Sequence, residues 1–307
     1  MIRGGLSPPA PGSVVLLTGA STGLSLALAR KLIALPYRLI LTAREASLPR
    51  FAHEGIHQSE SVWIRALDVT SAAQRIHVVQ DAGERLGGVD ILINNAGVAY
   101  RSVVEHARDL ERQEQFDINF HGPLALARLV LPRMREKRAG RIINVSSVGG
   151  MMAMPTMSLY SASKWALEGA SESLWYEVLP WNIRVTLVEP GFIRSDSFQH
   201  TRATQGSARA ESRPGDPYHV HYSAMTRLIE RLMTRSTSSP ERVADVILKV
   251  MRRRRPPLRV AGTRDAHFFY LLRRFLPRTL YHAILYRGLP GIGSWGQSGE
   301  SDDRGSE

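Results

Sequence analysis

The 307-residue chain is long enough for one large domain or two small ones, and its 43% apolar content allows a sizeable core. It contains no cysteine, which excludes disulfides and thiolate metal sites, and its histidines lack metal-binding spacing. No segment approaches the roughly 20 apolar residues of a membrane span, and residues 1–13 lack the apolar core of a secretion signal. We therefore expect a cytoplasmic protein with a flexible N-terminus over 1–13 and no bound metal.

The net charge of +12 is concentrated late in the chain. Residues 249–288 contain eleven Lys and Arg residues against one acid, Asp265, so the rest of the chain is nearly neutral. The main domain therefore needs no anionic polymer to explain its charge. Because no base-stacking motif accompanies the arginines, we expect no nucleic-acid partner.

A strand, a glycine loop and a helix open the predicted domain, at residues 13–18, 18–25 and 26–35. This arrangement presents backbone N–H groups and a helix N-terminus to a phosphate, although an ordinary turn is the alternative. Gly19 permits the tight turn, and Gly23 lets a pyrophosphate approach the backbone. The candidate cofactor residues in this loop are Gly19, Ser21, Thr22, Gly23 and Leu24.

Charged residues follow the second and third predicted strands, at 37–42 and 62–67. Arg44 stands where dinucleotide folds place an acid for the ribose hydroxyls. A cation there favours a 2′-phosphate, and hence NADP(H) over NAD(H); the alternative is a solvated arginine. Asp68 either accepts the adenine amino group or caps the helix predicted over 71–86.

Strands and helices continue to alternate as far as residue 190, which predicts a doubly wound, Rossmann-like parallel α/β sheet. Asn95, Ala96 and Gly97 follow a strand over 91–94, and their small size lets the backbone pass under a cofactor. The remaining predicted elements are a helix over 111–131, which carries Asn119, a strand over 141–146, a helix over 159–178 and a strand over 183–189. The candidate groups fall at strand carboxyl ends, where such sheets bind ligands.

Ser147, Tyr160 and Lys164 form the candidate catalytic group. The helix over 159–178 places Tyr160 and Lys164, which are four residues apart, on one face. A free tyrosine has a pKa of about 10, and a nearby ammonium stabilises the phenolate and lowers that pKa. Ser147 hydrogen-bonds the same substrate oxygen, so the three residues bind an alcohol or carbonyl oxygen and move its proton. The alternative is that the tyrosine and the lysine are ordinary surface residues without a catalytic role.

Taken in order, these motifs resemble the classical short-chain dehydrogenase/reductase family. The match runs from about Val14 to Ser195, with a continuation to Val260, and the stretch 160–173 looks most like the steroid and retinol dehydrogenase branch. The matching motifs are the cofactor loop at 18–23, the sheet-stabilising motif at 94–97 and the active-site motif at 160–164.

The resemblance implies a role for each catalytic residue. Tyr160 is the general acid in reduction and the general base in oxidation, and Lys164 lowers its pKa and holds the nicotinamide ribose. Ser147 orients and polarises the carbonyl. Asn119 holds a helix bend and a water that links Lys164 to solvent. Pro190 and Gly191 lie beside the nicotinamide, with Ile193 and Ser195 in the same cofactor set.

Two positions depart from the family pattern. Ser25 replaces the third loop glycine, and its side chain either crowds the helix–sheet contact or hydrogen-bonds nearby. Ser195 replaces a threonine but keeps the hydroxyl that meets the carboxamide.

The later part of the chain is divided into three further regions. Within a Rossmann domain over 14–262, a substrate lid is expected at about 192–238, followed by a basic amphipathic helical extension over 263–288 and a disordered tail over 289–307. Residues 252–288 predict peripheral membrane contact, a cover over the substrate site or a subunit contact. The methionines at 151, 152, 154 and 157 either line an adaptable apolar pocket or pack the loop.

The leading function is NADP(H)-dependent interconversion of a small, bulky apolar alcohol and its carbonyl, by a homo-oligomer. A 3-oxoacyl-thioester reductase is a second hypothesis, in which the basic region meets an acidic carrier. A cofactor- or nucleic-acid-binding scaffold without activity is a third, against which the complete set of catalytic residues argues.

Overall fold

A parallel sheet forms the centre of the computed structural model, which describes residues 7–194 and 201–296. Its seven strands follow the order β3-β2-β1-β4-β6-β7-β9, and a small second sheet pairs β5 with β8. The strands in this part of the chain are β1 Val14–Leu17, β2 Arg38–Ala43, β3 Val62–Ala66, β4 Ile91–Asn94, β5 Tyr100–Arg101, β6 Gly140–Val145, β7 Ile183–Glu189, β8 Arg202–Ala203 and β9 Arg259–Ala261. The predicted Rossmann-like sheet is confirmed.

Helices cover both faces of the sheet. Their bounds are α1 Gly23–Ile33, α2 Pro49–His53, α3 Ala72–Leu86, α4 Asp109–Phe116, α5 Gly122–Lys137, α6 Ser158–Val178, α7 Gln205–Ser212, α8 His219–Arg235, α9 Pro240–Arg252, α10 Arg264–Phe275 and α11 Arg278–Arg287. A π-helical segment, Asp117–His121, joins α4 to α5.

The central strand β1 is apolar throughout because both of its faces are buried. Alternate side chains point to opposite faces of a strand. Val15 and Leu17 accordingly lie in a core shared with α1 and α9, whereas Val14 and Leu16 lie in one shared with α3, α5 and α6. β1 pairs with β2 on one side and β4 on the other, so the strand order reverses at β1. Ligands bind at such a switch point, outside the carboxyl ends of the strands.

Two predicted helices differ from those observed. The first begins at Gly23 rather than residue 26, which makes the loop glycine its first residue. The predicted helix over 111–131 is interrupted by the π-helical segment, which carries Asn119. The other predicted elements shift by a residue or two at their ends, where capping decides the boundary. Ser195 and parts of the predicted N-terminus, lid and tail lie outside the described residues.

The helices α10 and α11 pack against the loop that follows β6. Tyr281 of α11 is buried with Val148, Met151 and Met152, and Phe269 of α10 packs against the same cluster. The predicted apolar stripe therefore has an inward side. No helix in the described ranges is long and apolar enough to cross a membrane.

Candidate active site

The loop between β1 and α1 is held closely against the backbone that follows β4. Gly19 has φ +66°, and a Cβ there would lie 2.9 Å from Cα of Ala96, so only glycine fits. The hydroxyl oxygen of Thr18 accepts hydrogen bonds from the backbone N–H of Asn95 and of Ala96, both at 3.0 Å. Ser25 donates to the carbonyl of Thr18 at 3.4 Å, which favours the hydrogen-bonding alternative for this replaced glycine.

The N-terminus of α1 is suited to an anion. Thr22 and Gly23 are exposed, Leu24 is half-buried and Ser21 is buried beneath them. The first turn of α1 carries no acidic residue, and its first N–H groups have no partner within the helix. These residues fit the pyrophosphate of a dinucleotide, which the helix dipole also attracts.

Arg44 directly follows β2 and is exposed. Its guanidinium makes no hydrogen bond or ion pair within residues 7–194 and 201–296. Burial acts to raise the pKa of Glu114, but hydrogen bonds from Tyr100 and Arg202 lower it. The charges of Arg202 and Arg44 lower it further, so Arg44 is close enough to act on this carboxylate. Arg44 therefore lies near the cleft with its donors available to an anionic ligand.

Asp68 is a turn residue at the end of β3. Its Oδ1 accepts from the N–H of Thr70 at 2.9 Å and from the Thr70 hydroxyl at 2.7 Å. The cap of α3 is instead Ser71, which accepts from the N–H of Gln74. The helix-cap alternative for Asp68 is therefore wrong, because the chain turns once more before the helix starts. Its Oδ2 makes no hydrogen bond in the described part of the chain.

The π-helical segment delivers Asn119 to the backbone that leaves β4. Its side-chain carbonyl accepts from the N–H of Val98, and its amide donates to the carbonyl of Val98, both at 2.9 Å. The same amide donates to Ser163 Oγ at 3.1 Å. A Cβ at Gly97 would lie 3.3 Å from Asn119 Oδ1, so the small residue permits this contact. Asn119 thus joins the 95–98 backbone to the helix that carries Tyr160.

Ser147 and Tyr160 flank Gly149. A Cβ at Gly149 would lie 3.1 Å from Cε1 of Tyr160 and 3.5 Å from Oγ of Ser147. Ser147 Oγ accepts a hydrogen bond from the N–H of Gly149 at 3.0 Å, which fixes the hydroxyl. Both side chains are half-buried, so a substrate oxygen can reach them.

Lys164 is buried, one turn along α6 from Tyr160. Its Nζ donates to the carbonyl of Val145 at 2.9 Å and lies 5.8 Å from the centroid of the Tyr160 ring. Burial lowers the pKa of Lys164 to about 8, and the charge of Glu168 acts to raise it.

The environment of Tyr160 acts on the pKa of its phenol in two ways. Burial raises the pKa of this phenol, and the hydrogen bond with Ser147 lowers it to a smaller extent. The ammonium of Lys164 donates to the Val145 carbonyl, so the lowering of this pKa by Lys164 stays a prediction. A raised pKa keeps the phenol protonated at neutral pH, which suits proton donation to a carbonyl oxygen.

Residues from the start of α10 hold the segment after β7, and sequence reasoning missed them. Thr263 Oγ1 accepts from the N–H of Gly191, and Asp265 Oδ2 accepts from that of Phe192, both at 2.8 Å. Pro190 is buried, and Ile193 packs on the core beside α1. Thr263 caps α10, and a threonine before a helix is a signal that local sequence can offer, whereas its contact with residues about seventy positions earlier is not.

The segment predicted as a lid is fixed to the chain after β4 by a short parallel pairing of β5 with β8. Arg202 makes an ion pair with Glu114, and Arg101 pairs with Glu211 at 3.0 Å. The hydroxyl of Tyr222 accepts from the N–H of Val103 at 3.0 Å. The described part of this segment is therefore folded, with α7 and α8 held against the chain that follows β4.

The arrangement combines a turn suited to a phosphate with a hydroxyl pair suited to a carbonyl oxygen. The sheet brings the loop, Arg44, Asp68, residues 95–97 and Pro190 to one edge, as the sequence predicted. Within the described ranges, no group of three or more His, Asp or Glu residues is placed to hold a metal ion.

Comparisons with known proteins agree with this geometry. The family model described as short chain dehydrogenase matches residues 13–206. Retinol dehydrogenase 8 of Bos taurus is 37% identical over 257 residues, which covers 80% of each chain. The 3-ketodihydrosphingosine reductase of Bacteroides thetaiotaomicron is 33% identical over 246 residues, covering 80% of this chain and 86% of that protein.

Solved structures show the same fold. A short-chain dehydrogenase from Streptomyces avermitilis superimposes with a TM-score of 0.72 at 29% identity, covering 90% of this chain and 98% of its own. An actinorhodin polyketide ketoreductase solved with NADPH gives a TM-score of 0.63 at 28% identity, covering 78% and 90% respectively.

The substitution Tyr160→Phe keeps the ring but removes the transferable proton. We expect turnover to fall by about 100-fold or more, while cofactor affinity stays close to that of the wild type. Steady-state kinetics with fluorescence titration of the reduced cofactor measures both quantities. As a control, Tyr176→Phe alters an exposed tyrosine on the same helix and should have no effect. Retention of most activity in Tyr160→Phe would contradict the assignment.

Proposed function

Because this chain belongs to the short-chain dehydrogenase family, we propose that it is an NADP(H)-dependent enzyme that interconverts a bulky apolar alcohol and its ketone or aldehyde. Family membership makes the chain an oxidoreductase of CH–OH groups that uses a nicotinamide cofactor. The choice of cofactor phosphate, the substrate class and the residue roles are the proposal.

The proposed chemistry follows from the positions of the side chains. When bound, the nicotinamide exchanges a hydride with the substrate carbon. Ser147 hydrogen-bonds the substrate oxygen, and Tyr160 donates the proton in reduction or accepts it in oxidation. Lys164 stabilises the deprotonated tyrosine and binds the ribose. Asn119 fixes the backbone at Val98 against the tyrosine helix and, as the resemblance implies, holds the water that links Lys164 to solvent.

One observation supports the substrate class above the others: an apolar cluster directly follows Ser147. Val148, Met151 and Met152 are buried against Tyr281 of α11. Methionine side chains are flexible and adapt to irregular apolar shapes. The names of two relatives, retinol dehydrogenase 8 and 3-ketodihydrosphingosine reductase, point to alcohols and ketones with long apolar portions.

A substrate panel tests this class. With NADPH, we expect reduction of retinoid, steroid or long-chain ketone and aldehyde probes, with far lower kcat/KM for acetone-sized carbonyls. Met154→Ala, at the half-buried edge of this cluster, should lower kcat/KM for a bulky probe about tenfold or more, because about 1.5–3 kcal/mol of apolar contact is lost. The control Leu110→Ala alters an exposed apolar residue. Exclusive reduction of 3-oxoacyl thioesters would replace our proposal by the thioester reductase.

The cofactor proposal rests on Arg44, whose donors are available beside the phosphate-binding turn. A charge-assisted contact with a 2′-phosphate contributes about 1.5–3 kcal/mol. The NADPH in the related ketoreductase structure is consistent with this choice.

Arg44→Ala should therefore weaken NADPH binding about tenfold to hundredfold, with little change for NADH. Fluorescence titration with each reduced cofactor measures the two dissociation constants. Arg50→Ala, which alters an exposed arginine in the next helix, is the matched control. Equal weakening of both cofactors, or a wild-type preference for NADH, would show that Arg44 does not read the phosphate.

We also propose that α10 and α11 contact anionic membrane surfaces. Phe268, Leu271 and Phe275 lie on one exposed face of α10, with 59%, 37% and 73% exposure. Arg274 adjoins this face and complements an anionic surface, whereas Arg273 stacks over the Trp165 ring of α6 at 4.4 Å. An apolar substrate dissolves in such a membrane, so recruitment would bring the enzyme to it. The competing occupant of this face is a second copy in a homo-oligomer.

Co-sedimentation with vesicles separates these alternatives. We expect wild-type binding to anionic vesicles that weakens with salt, and loss of binding in Phe268→Ser/Phe275→Ser. The control Phe269→Ser alters the inward side, so it should lower thermal stability and spare binding. Failure of the wild type to bind anionic vesicles at low salt would reject membrane recruitment. If the double variant instead sediments with a different coefficient from the wild type, the exposed face is a subunit contact.

A further inference from the structure

A row of ionisable side chains continues from Tyr160 along one face of α6. Lys164, Glu168 and Glu172 follow at intervals of four residues, which places them one above another on the helix. Only the last of these is substantially exposed, with 41% of its side chain accessible, whereas the side chain of Glu168 is 8% exposed. A buried carboxylate one turn from a buried ammonium needs a physical explanation, because burying charge is costly.

Glu168 is held in place by Arg259 of β9. The Nε atom of Arg259 lies 2.9 Å from Glu168 Oε2, and its Nη2 lies 2.7 Å from Glu172 Oε2. A Cβ at Gly150 would lie 3.0 Å from Cγ of Glu168 and 2.8 Å from Oγ of Ser146. The carboxylate therefore lies beneath the loop that carries Ser147, and glycine at 150 makes room for it.

A second buried carboxyl group faces Glu168 from the end of β7. Glu189 is 3% exposed, and its Oε1 lies 3.7 Å from the same Arg259 Nε. Burial, followed by the charge of Glu168, raises the pKa of Glu189 to about 8; Arg259 opposes this, and a hydrogen bond to Glu168 adds to it. The burial of Glu189 beside Glu168 therefore favours its protonated form.

The charges of this cluster balance only with that proton. Lys164 and Arg259 supply two positive charges, and Glu168 and Glu172 supply two negative ones. Ionising Glu189 as well would leave an uncompensated negative charge in a buried site. The other nearby acid, Asp265, accepts from the Phe192 N–H on the far side of Gly191. In the enzyme without ligands, Glu168 and Glu189 therefore share one proton.

We propose that Glu168 is a positioning residue for catalysis: fixed by Arg259 and sharing one proton with Glu189, its carboxylate keeps the buried ammonium of Lys164 charged below Tyr160. This inference rests on the proposed function, in which the charged Lys164 serves the tyrosine and the ribose. The charge of Glu168 opposes the lowering of the Lys164 pKa by burial, so without it Lys164 loses its proton at lower pH.

The first test compares two glutamates that share Arg259. The pH dependence of kcat/KM for NADPH-linked reduction is measured for the wild type, Glu168→Gln and Glu172→Gln, with the best probe from the panel. Burial lowers the pKa of Lys164 to about 8, so activity should fall above that pH in the wild type. In Glu168→Gln this fall should move to lower pH by about one unit. In Glu172→Gln, one turn further from Lys164, it should stay in place.

The two profiles decide the role of Glu168. An equal displacement in both variants would mean that the cluster acts only through Arg259 and the fold, and would overturn the proposal. An unmoved profile in Glu168→Gln would overturn it as well.

A second test needs neither substrate nor cofactor, so its failure is distinguishable from failure of the proposed function. Folding raises the pKa of the Glu189 carboxyl group from 4.5 to about 8. The folded protein therefore loses stability as the pH rises through that interval. Gln donates a hydrogen bond to Glu168 without titrating. The Tm of Glu189→Gln relative to the wild type should therefore rise between pH 5 and pH 8. A constant difference in Tm would show that Glu189 holds no shared proton, and would overturn the proposal even if Glu168→Gln did not fold.

Discussion

The burial of one ammonium group constrains much of this structure. Lys164 lies in the core of the sheet and helix contact, where an unpaired charge would be very costly. Its nearest acceptor is the carbonyl of Val145 at the last residue of β6, so the charge is fixed to the same strand end that leads into Ser147. The strand, the hydroxyl and the tyrosine helix are thereby held in one relative position. A site built on rigid elements in this way keeps its geometry before any ligand arrives.

Short-range sequence patterns were sufficient to predict the sheet and most of its carboxyl edge. Strand, glycine loop and helix follow one another directly, and the helix spacing of Tyr160 and Lys164 depends only on local geometry. The contacts of Gly19 with Ala96 and of Thr18 with Asn95 join distant segments, but the sheet order makes them neighbours. Much of the site could therefore be predicted once the fold class was known.

The remaining features depend on contacts between segments far apart in the chain. Thr263 and Asp265 reach the backbone after β7, and Arg259 reaches Glu168, through packing that no local period reveals. The environment of Lys164 shows the same limit: sequence spacing placed it close to Tyr160, but did not show that its ammonium donates to the Val145 carbonyl. Likewise, the amphipathic pattern of α10 and α11 did not show which apolar side faces the methionine cluster.

The π-helical segment Asp117–His121 interrupts the regular helical repeat between α4 and α5, which would otherwise form one continuous helix. An α-helix turns by about 100° per residue, so one extra residue rotates everything beyond it relative to everything before it. Here that rotation lets Asn119 face Val98 and Ser163 while α5 keeps its apolar side on the sheet. A one-residue deletion that restored a continuous α-helix would remove this accommodation, and the chain would have to sacrifice either the asparagine contacts or the packing of α5. Segment length is thus as much a determinant of this site as residue identity.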